Sequence, residues 1–339
     1  MDETLGLFLA ANDAVAVRGG IGAGKDGGNE ELDRYSKDPR IAIITALPKE
    51  MAALKEVLGV SYQTPSELDG AVSFTTTTIE VGTGENKKSE DIVMCQCVKM
   101  GNNSAAVAAT ALLIKYPSIE DILMVGIAGG VPILDWKRGK CPKHVRKGDV
   151  VLGDQVIQYD LIKIEVDEHE NRARPIPPSA RLTTVVNQID EDRLRGKDDF
   201  EKRMLRKIPE AFKRPRNDVV YKFSKNETGE LCKEKATHPS QDRPKKAPLV
   251  HRGTIGSANA LLKSHEYRDE LREKFGLAAV EMEGSGIADS AWHFRVGYLA
   301  VRGVCDYCDM DKDDNWQMYA AYAAAMYSKM VVERSIQMG

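Results

Sequence analysis

Residues 41–60 read IAIITALPKEMAALKEVLGV, and this stretch decides the fold class. The apolar run at 41–47 has the length and composition of a buried strand. Behind it, Pro48 suits the first turn of a helix. Apolar side chains then recur at helical spacing, at Met51, Leu54 and Leu58. The pattern predicts a strand, a tight turn and a helix, which together begin a β-α-β unit.

The same alternation continues downstream. DIVMCQCVKMG at 91–101 predicts a second strand, and the alanine-rich stretch at 102–117 predicts a helix that ends at Pro117. DILMVGIAGGV at 121–131 predicts a third strand that leads into a glycine-rich turn, and 147–166 again resembles strand sequence. The β-α-β-α-β order indicates an α/β fold with a largely parallel, buried sheet and helices on both faces.

Composition narrows the class of protein. The 339 residues are 42% hydrophobic and 29% charged, with a formal net charge of −3. These values are typical of a globular domain and exclude a disordered chain. The net charge of −3 does not provide the overall positive charge that is typical of nucleic-acid binding. No apolar run of about 18 residues is present that could span a membrane. Six cysteines and an acidic N-terminus fit neither a disulfide scaffold nor a signal peptide, so we expect a cytoplasmic protein.

Two segments depart from the pattern. Residues 1–40 are glycine-rich and charged, which predicts an N-terminal extension to a domain at 41–335. Residues 166–247 interrupt that domain, and within them 191–246 holds 17 basic residues against 11 acidic ones. We expect a solvated, basic surface insertion. Polyphosphate or nucleic-acid binding is the alternative, although aromatic residues for base stacking are not interleaved there.

Three motif-like features carry little weight. GGIGAGKD at 19–26 nearly matches a P-loop, but Asp26 replaces the Ser or Thr and would repel phosphate, so an NTPase is a remote alternative. Cys305 and Cys308 form a single CxxC pair, which is too few ligands for structural zinc and is interpreted as buried, reduced thiols. The histidines show no metal-ligand spacing. We therefore predict neither a metal nor a cofactor.

Three acids are more informative because each follows an apolar strand. They are Glu50, Glu283 and Asp306. In open parallel sheets, ligands bind beyond the carboxyl ends of the strands. Gly129 and Gly130, after another strand, let backbone N–H groups approach a ligand closely. A single acid at a strand end can instead cap a helix. Together, these residues predict one shared cleft.

The segments IAIITALPKEMAAL, VGIAGG, KGDVVLGDQV, GTIGSANALL, AVEMEGSGIA and VRGVCDY resemble, in this order, the nucleoside phosphorylase superfamily. They look most like its nucleosidase branch, typified by 5′-methylthioadenosine/S-adenosylhomocysteine nucleosidase. The resemblance covers roughly 41–165 and 248–335. The tail that begins CDYCDMDKDDNW is similar to the superfamily domains that act as effectors in NLR-like and bacterial defence proteins, some of which strip adenine from ATP. The resemblance implies a three-layer α/β/α domain with a mixed sheet, cleavage of an N-glycosidic bond and a homo-oligomer, either dimer or hexamer.

The resemblance also implies roles for individual residues. Asp306 matches the acid that protonates purine N7, Glu50 the carboxylate that activates water, and Glu283 the acid that binds the ribose diol. The remaining matches contact the sugar, the water, the nucleophile turn or the base: Met282 beside the sugar, Arg302 near the water, Ala128 and Gly129 in the turn, and Leu261 and Leu262 at the base.

The chemistry of the reaction agrees with these roles. Cleavage of a purine–ribose bond gives an oxocarbenium-like sugar and an anionic base, so one protonated acid must meet the base and one ionised carboxylate must orient water. The resemblance implies that phosphorylases carry arginine in the first βα turn, where this chain has Glu50. Because a carboxylate would repel phosphate, we expect hydrolysis. A phosphate-dependent purine or uridine phosphorylase and a non-catalytic nucleoside-binding domain remain alternatives.

Departures from the family concern the 5′ substituent. Ile127 stands where nucleosidases usually carry a small polar residue, and Cys305 replaces a serine. A 5′-thioether would require an apolar pocket, whereas a 5′-triphosphate would require several Lys or Arg side chains, which the basic insertion could supply. The sequence therefore favours an adenine nucleotide such as ATP, cleaved without phosphate as a co-substrate, with a methylthioadenosine/S-adenosylhomocysteine nucleosidase as the alternative.

Overall fold

The computed structural model describes residues 39–134, 140–164, 169–197, 199–241 and 247–339. The near P-loop at 19–26 and almost all of the predicted N-terminal extension lie outside the described residues. The strands are β1 (Ile41–Thr45), β2 (Glu67–Asp69), β3 (Val72–Val81), β4 (Lys88–Gln96), β5 (Asp121–Gly130), β6 (Val150–Gln158), β7 (Ile162–Ile164), β8 (His169–Asn171), β9 (Val220–Lys225), β10 (Leu231–Ala236), β11 (Val250–Ser257), β12 (Leu277–Glu281) and β13 (Gly297–Asp306). The α-helices are α1 (Pro48–Leu58), α2 (Asn102–Lys115), α3 (Ala180–Leu194), α4 (Asp199–Met204), α5 (His265–Phe275), α6 (Gly284–Phe294) and α7 (Gln317–Met338).

The first predicted unit forms as expected. Every residue of β1 is buried, and α1 begins at Pro48. The helix ends because Gly59 adopts a left-handed conformation with φ of +72°, which glycine reaches without a steric penalty. The apolar stripe of α1 faces the core through Ala53, Leu54, Val57 and Leu58. Periodicity in residues 41–60 therefore predicted this unit correctly.

The main sheet has nine strands in the order β12-β11-β6-β13-β5-β1-β4-β3-β2. The pairs β1–β4, β1–β5, β5–β13, β6–β11 and β11–β12 are parallel, whereas β2–β3, β3–β4, β6–β13 and β5–β12 are antiparallel. The extra β5–β12 pairing closes β5, β13, β6, β11 and β12 into a ring. The predicted mixed, largely parallel sheet is thus confirmed, and its closed part brings the ends of distant strands together.

Helices cover both faces of this sheet, which confirms the predicted three layers. α7 packs on α1, α3 and β13, while α2 packs on α6. The alanines of α7 allow a very close approach, since a Cβ added at Gly303 in β13 would lie 1.9 Å from the carbonyl oxygen of Ala320. The alanine-rich surface of α7 therefore packs against β13 of the same chain. Within the described part of the chain, none of the helices has the length and apolar composition that a bilayer crossing requires.

The insertion differs from its predicted character. Its helix α3 buries four apolar residues at helical spacing against the core that contains α7, namely Leu182, Val185, Val186 and Ile189. Phe200, Met204 and Phe212 join the same core, while the β9–β10 hairpin is largely exposed. The prediction of a solvated loop is therefore wrong for this part of the insertion. The charge count of the insertion does not indicate the apolar stripe of α3, which is recognisable only from the spacing of its apolar residues.

Candidate active site

The ends of β1, β5, β12 and β13 border a cavity of about 360 Å³, which we call the first cavity. Seven of the predicted site residues line it: Glu50, Ala128, Gly129, Leu261, Leu262, Met282 and Glu283. They come from four separate parts of the chain, which the closed part of the sheet and the neighbouring strand β1 bring together. Arg302 and Asp306 are the two predicted residues that do not line this cavity.

Glu50 is held rigidly at the wall of the first cavity. Its Oε2 accepts hydrogen bonds from the backbone N–H groups of Ala46 and Leu47, both at 2.8 Å, and its Oε1 accepts one from Ile127 at 2.7 Å. Burial raises the pKa of Glu50, while Arg302 and these amides act in the opposite direction. The bond from Leu47 is also a helix cap for α1, so the capping and functional interpretations of this acid coexist.

A buried guanidinium lies behind the acids. Arg302 is fully buried, its Nη2 contacts Glu281, and it lies 3.6 Å from Oε2 of Glu283. Burial lowers its pKa, but Glu281, Glu283 and Glu50 raise it, and the net shift is upward. Among the described residues, Nε and Nη1 of Arg302 have no hydrogen-bond partner. One permanent positive charge thus compensates several buried carboxyl groups at the back of the site.

Glu283 has a different electrostatic environment from an exposed acid. Its side chain is buried, and Oε1 accepts a hydrogen bond from the backbone N–H of Gly101 at 3.1 Å. Burial raises the pKa of Glu283 to about 7; Arg302 opposes this shift, while Glu281 and Glu50 add to it. The carboxyl group therefore changes charge near neutral pH.

Sequence reasoning missed Glu281. Its carboxylate accepts from the backbone N–H of Glu283 at 3.0 Å and from that of Gly284 at 2.8 Å, and it pairs with Arg302. These bonds fix the first turn of α6 and the segment that carries Met282. A signal was available, because an acid at the end of the apolar strand LAAVE requires a buried partner.

Asp306 lies beside the first cavity but lines a second cavity of about 500 Å³. Its Oδ1 accepts a hydrogen bond from the backbone N–H of Cys308 at 2.9 Å. Its Oδ2 lies 3.0 Å from Nζ of Lys312 and 3.0 Å from Sγ of Cys305. Lys312 lines both cavities and was not identified from the sequence, because a single lysine in an irregular charged segment carries no periodic signal.

A glycine separates Asp306 from the first cavity. A Cβ added at Gly129 would lie 2.9 Å from Oδ1 of Asp306 and 2.1 Å from Sγ of Cys308. Packing against Cys308 and Asp306 therefore requires a glycine here, whereas the approach of its N–H group to a ligand stays a prediction. The neighbouring cysteines are buried free thiols, and burial raises the pKa of both Cys305 and Cys308. Their interpretation as reduced thiols is confirmed.

The positive charge around the first cavity comes from outside the insertion. Lys49, Lys263 and Lys312 line the cavity, whereas none of the described residues of the insertion does. Lys49 also contacts the side chain of Gln317 at the start of α7. The prediction that the insertion supplies Lys or Arg side chains for a 5′-triphosphate is thus wrong for the first cavity, as far as the described residues are concerned. Its segment near Arg216 lines the second cavity instead.

Comparison with known proteins identifies the family. A family model described as the phosphorylase superfamily matches residues 40–337. The chain belongs to the phosphorylase superfamily. The resemblance inferred from the sequence is confirmed.

Curated superfamily relatives include proteins much longer than this chain. It is 28% identical over 311 residues to a nucleotide-binding leucine-rich repeat (NLR)-like protein of Hyaloscypha variabilis, covering 88% of this chain and 29% of that protein. It is 24% identical over 296 residues to the ATP nucleosidase Cap17 of Escherichia coli, covering 85% and 50%. A 5′-methylthioadenosine/S-adenosylhomocysteine nucleosidase of Haemophilus influenzae is also 24% identical, with 87% and 97% covered. The chain thus spans half or less of the first two relatives.

Solved structures of the superfamily share the fold. The futalosine hydrolase of Helicobacter pylori has a TM-score of 0.59 at 17% identity, and 87% of this chain covers 98% of that one. The 5′-methylthioadenosine/S-adenosylhomocysteine nucleosidase of the same species, bound to butyl-thio-DADMe-Immucillin-A, has a TM-score of 0.59 at 18% identity, with 86% and 97% covered. These likenesses agree with the mixed sheet and three-layer order described above.

Proposed function

We propose that this superfamily member is an N-ribosyl hydrolase that releases the base, adenine, from a purine nucleoside or nucleotide. The observation that carries the proposal is the position of Glu50. A buried carboxylate is held by three backbone N–H groups in the wall of a nucleoside-sized cavity that Glu283 also lines. At this position it suits a water molecule as nucleophile, because it would repel phosphate.

The sugar is proposed to lie between two acids. Glu283 in its ionised form accepts hydrogen bonds from the two ribose hydroxyls, and Met282 packs against the ring. Glu50 takes a proton from the attacking water. Arg302, which does not line the cavity, acts through its positive charge on Glu50. A carboxylate base on the face opposite the leaving group follows the logic of inverting glycoside hydrolysis.

The leaving base is proposed to bind near Leu261 and Leu262. As the C1′–N9 bond breaks, its electron pair passes to the base, and Asp306 delivers a proton to N7. Asp306 packs against Gly129, which lines the first cavity, since a Cβ added at Gly129 would lie 2.9 Å from Oδ1 of Asp306. The ammonium of Lys312, 3.0 Å from Oδ2, offsets the negative charge left on Asp306 after the transfer.

We propose an adenine nucleotide, ATP, as the substrate. Lys49, Lys263 and Lys312 line the first cavity together with four acidic residues, and these three ammonium groups are proposed to pair with the 5′-polyphosphate. Similarity to an ATP nucleosidase over 85% of this chain supports the same substrate. A 5′-methylthioadenosine or S-adenosylhomocysteine substrate is the second candidate, because the chain covers 97% of a nucleosidase of that name.

A substrate panel tests these proposals. Adenine release is measured from ATP, AMP, adenosine and methylthioadenosine, each with and without inorganic phosphate, using the wild type and Glu50→Gln. We expect phosphate-independent release, fastest from ATP, and a loss of about 10²–10⁴-fold in Glu50→Gln. Strict dependence on phosphate would instead identify a phosphorylase. Faster turnover of methylthioadenosine would overturn the nucleotide assignment.

We further propose a homo-oligomeric, cytoplasmic effector of a defence pathway. The resemblance of the tail to effector domains and the similarity to an NLR-like protein support this role. The oligomer follows from the family resemblance. Light scattering of the purified chain is expected to give a dimeric or hexameric mass, and a monomeric mass would contradict it.

A further inference from the structure

A segment of the insertion docks on the loop that begins with Asp306. We refer to residues 214–221 as the strap and to residues 306–316 as the acid loop. Together with Lys147, these two segments enclose the second cavity. We propose that Asp218 of the strap is a positioning residue, which orients Asp306 through the intervening Tyr307. This inference rests on the proposed function, since it assigns a role to Asp306 in catalysis.

Tyr307 is fixed at both its side chain and its backbone. Its hydroxyl donates a hydrogen bond to Oδ1 of Asp218 at 2.8 Å and accepts one from the backbone N–H of Lys147 at 3.1 Å. Its carbonyl oxygen accepts from Nη1 of Arg268 at 2.8 Å. The ring is buried. The tyrosine therefore has little freedom to rotate or shift while Asp218 is in place.

The orientation of Asp306 depends on the residue that follows this tyrosine. The backbone N–H of Cys308 donates to Oδ1 of Asp306, and Cys308 has a φ of +54°. A left-handed conformation is unfavourable for a cysteine, so it persists only where neighbouring contacts impose it. The anchored Tyr307 supplies such contacts. Loss of the anchor lets the turn relax and moves the N–H group away from the carboxylate.

The strap is itself anchored at two points. Oδ2 of Asp218 lies 3.2 Å from Nε2 of His238, whose Nδ1 lies 2.8 Å from Nε2 of the buried His144. Nearby, the indole N–H of Trp316, at the end of the acid loop, donates to the carbonyl oxygen of Asn217 at 3.1 Å. Asp218 is therefore a fixed acceptor, because buried side chains from other segments hold the strap.

The expected signature is a change in kcat without a change in KM. Neither Asp218 nor Tyr307 lines the first cavity, so neither contacts the nucleoside there. Misplacement of the acid slows departure of the base, and geometric errors of about 1 Å can cost on the order of 10²-fold in rate. A role limited to folding would instead lower the fraction of active enzyme and leave the kcat of the folded fraction unchanged.

Four variants test the link: Asp218→Ala, Asp218→Asn, Tyr307→Phe and the double variant Asp218→Ala/Tyr307→Phe. Base release is measured per folded enzyme, with folding followed by thermal unfolding. We expect kcat to fall about 10- to 100-fold in Asp218→Ala and Tyr307→Phe, with KM within about twofold. Asp218→Asn retains most activity, because its amide oxygen still accepts from the tyrosine. The double variant is no slower than the worse single variant, since both remove the same link.

Glu210→Ala is the matched control, since Glu210 is an exposed acid of the same insertion that pairs with Lys213 on the surface. We expect its kcat to equal that of the wild type. Unchanged kcat in Asp218→Ala, multiplied losses in the double variant or an Asp218→Asn variant as slow as Asp218→Ala would each overturn the inference. Absence of base release from the wild-type protein is a different result, which would contradict the proposed function itself.

Discussion

The two ends of the candidate site are built in different ways. After their proposed roles, we call the part around Glu50, Glu283 and Arg302 the sugar end and the part around Asp306 the acid end. At the sugar end, backbone N–H groups at the ends of β1 and β5 hold Glu50, and Arg302 compensates its charge. At the acid end, Asp306 is held by the side chain of Lys312 and by a turn at Cys308 that long-range contacts support. Backbone amides are fixed by the sheet, whereas side-chain anchors can be lost one at a time. We therefore expect the sugar end to be the more rigid of the two.

The largest expected effect comes from removing the charge that balances the sugar end. Arg302→Met leaves several carboxyl groups buried without their cation, so we expect a loss of about 3–5 kcal/mol in the free energy of unfolding, together with loss of activity. Urea unfolding measures it. Arg252→Met is the control, because Arg252 pairs with Asp190 where both side chains are partly exposed, and we expect it to cost less than about 1 kcal/mol. Similar losses of unfolding free energy in both variants would show that the buried cluster around Arg302 contributes no more to stability than a partly exposed ion pair.

A smaller change tests the wall between the two ends. Gly129→Ala places a methyl group 2.1 Å from Sγ of Cys308 and 2.9 Å from Oδ1 of Asp306, so the acid loop must shift. We expect a destabilisation of about 1–3 kcal/mol and slower base release. Gly59→Ala is not a suitable control because its backbone is left-handed. Val107→Ala, on an exposed face of α2, is suitable and should change little. A fully active, fully stable Gly129→Ala variant would contradict the packing argument.

The pH dependence sharpens the contrast at the sugar end. In its proposed role, Glu283 accepts hydrogen bonds from the ribose hydroxyls in its ionised form. Because its pKa is about 7, kcat/KM is expected to rise with pH and to fall about tenfold per pH unit below 7. Glu283→Gln should remove this limb of the profile. Stability follows the opposite direction, because the folded-state pKa exceeds the ordinary value of 4.5. The protonated carboxyl stabilises the fold fully below 4.5, and this contribution is lost as pH rises through about 7. A flat profile between pH 6 and 8 would contradict the role of Glu283.

The smallest expected effect lies at the acid end. Cys305 places its thiol 3.0 Å from Oδ2 of Asp306 and 3.4 Å from the carbonyl oxygen of Ala128. A serine hydroxyl can donate to the same acceptors, so Cys305→Ser is expected to change stability by less than about 1.5 kcal/mol, the net value of one hydrogen bond, and to leave kcat nearly unchanged. Thermal unfolding and base release measure these values. A large loss of activity would show that the thiol has a role that a hydroxyl cannot replace.

Sequence reasoning succeeded where the signal was local and periodic. The strand–turn–helix at residues 41–60 was predictable because apolar spacing records which face is buried. Glu50 and Glu283 were found because acids at strand ends share one edge of the sheet. Glu281 was overlooked although its signal, an acid in an apolar strand, was equally local. The apolar stripe of α3 was missed for another reason, because the insertion was interpreted from its net charge and not from the spacing of its apolar residues.

What remained hidden depended on long-range geometry. The pairing of β5 with β12 joins segments about 150 positions apart by the chain numbering, and it carries no periodic signal. Lys312 and Asp218 both approach the Asp306 segment through single side chains. A hydrogen bond between distant side chains leaves no pattern in either local sequence. These contacts can therefore be recognised only in the folded structure.

The α/β class, the order of most strands and helices, and the residue types that suit hydrolysis of a glycosidic bond could be recognised from the amino-acid sequence. These follow from burial patterns and from side-chain chemistry, which are local properties. The folded structure was needed to show that the sheet closes on itself, that three lysines from outside the insertion line the first cavity, and that Asp306 lines a second cavity. The reason is physical: strand closure and side-chain anchoring depend on the packing of the whole domain, because each joins groups that approach one another only in the folded chain.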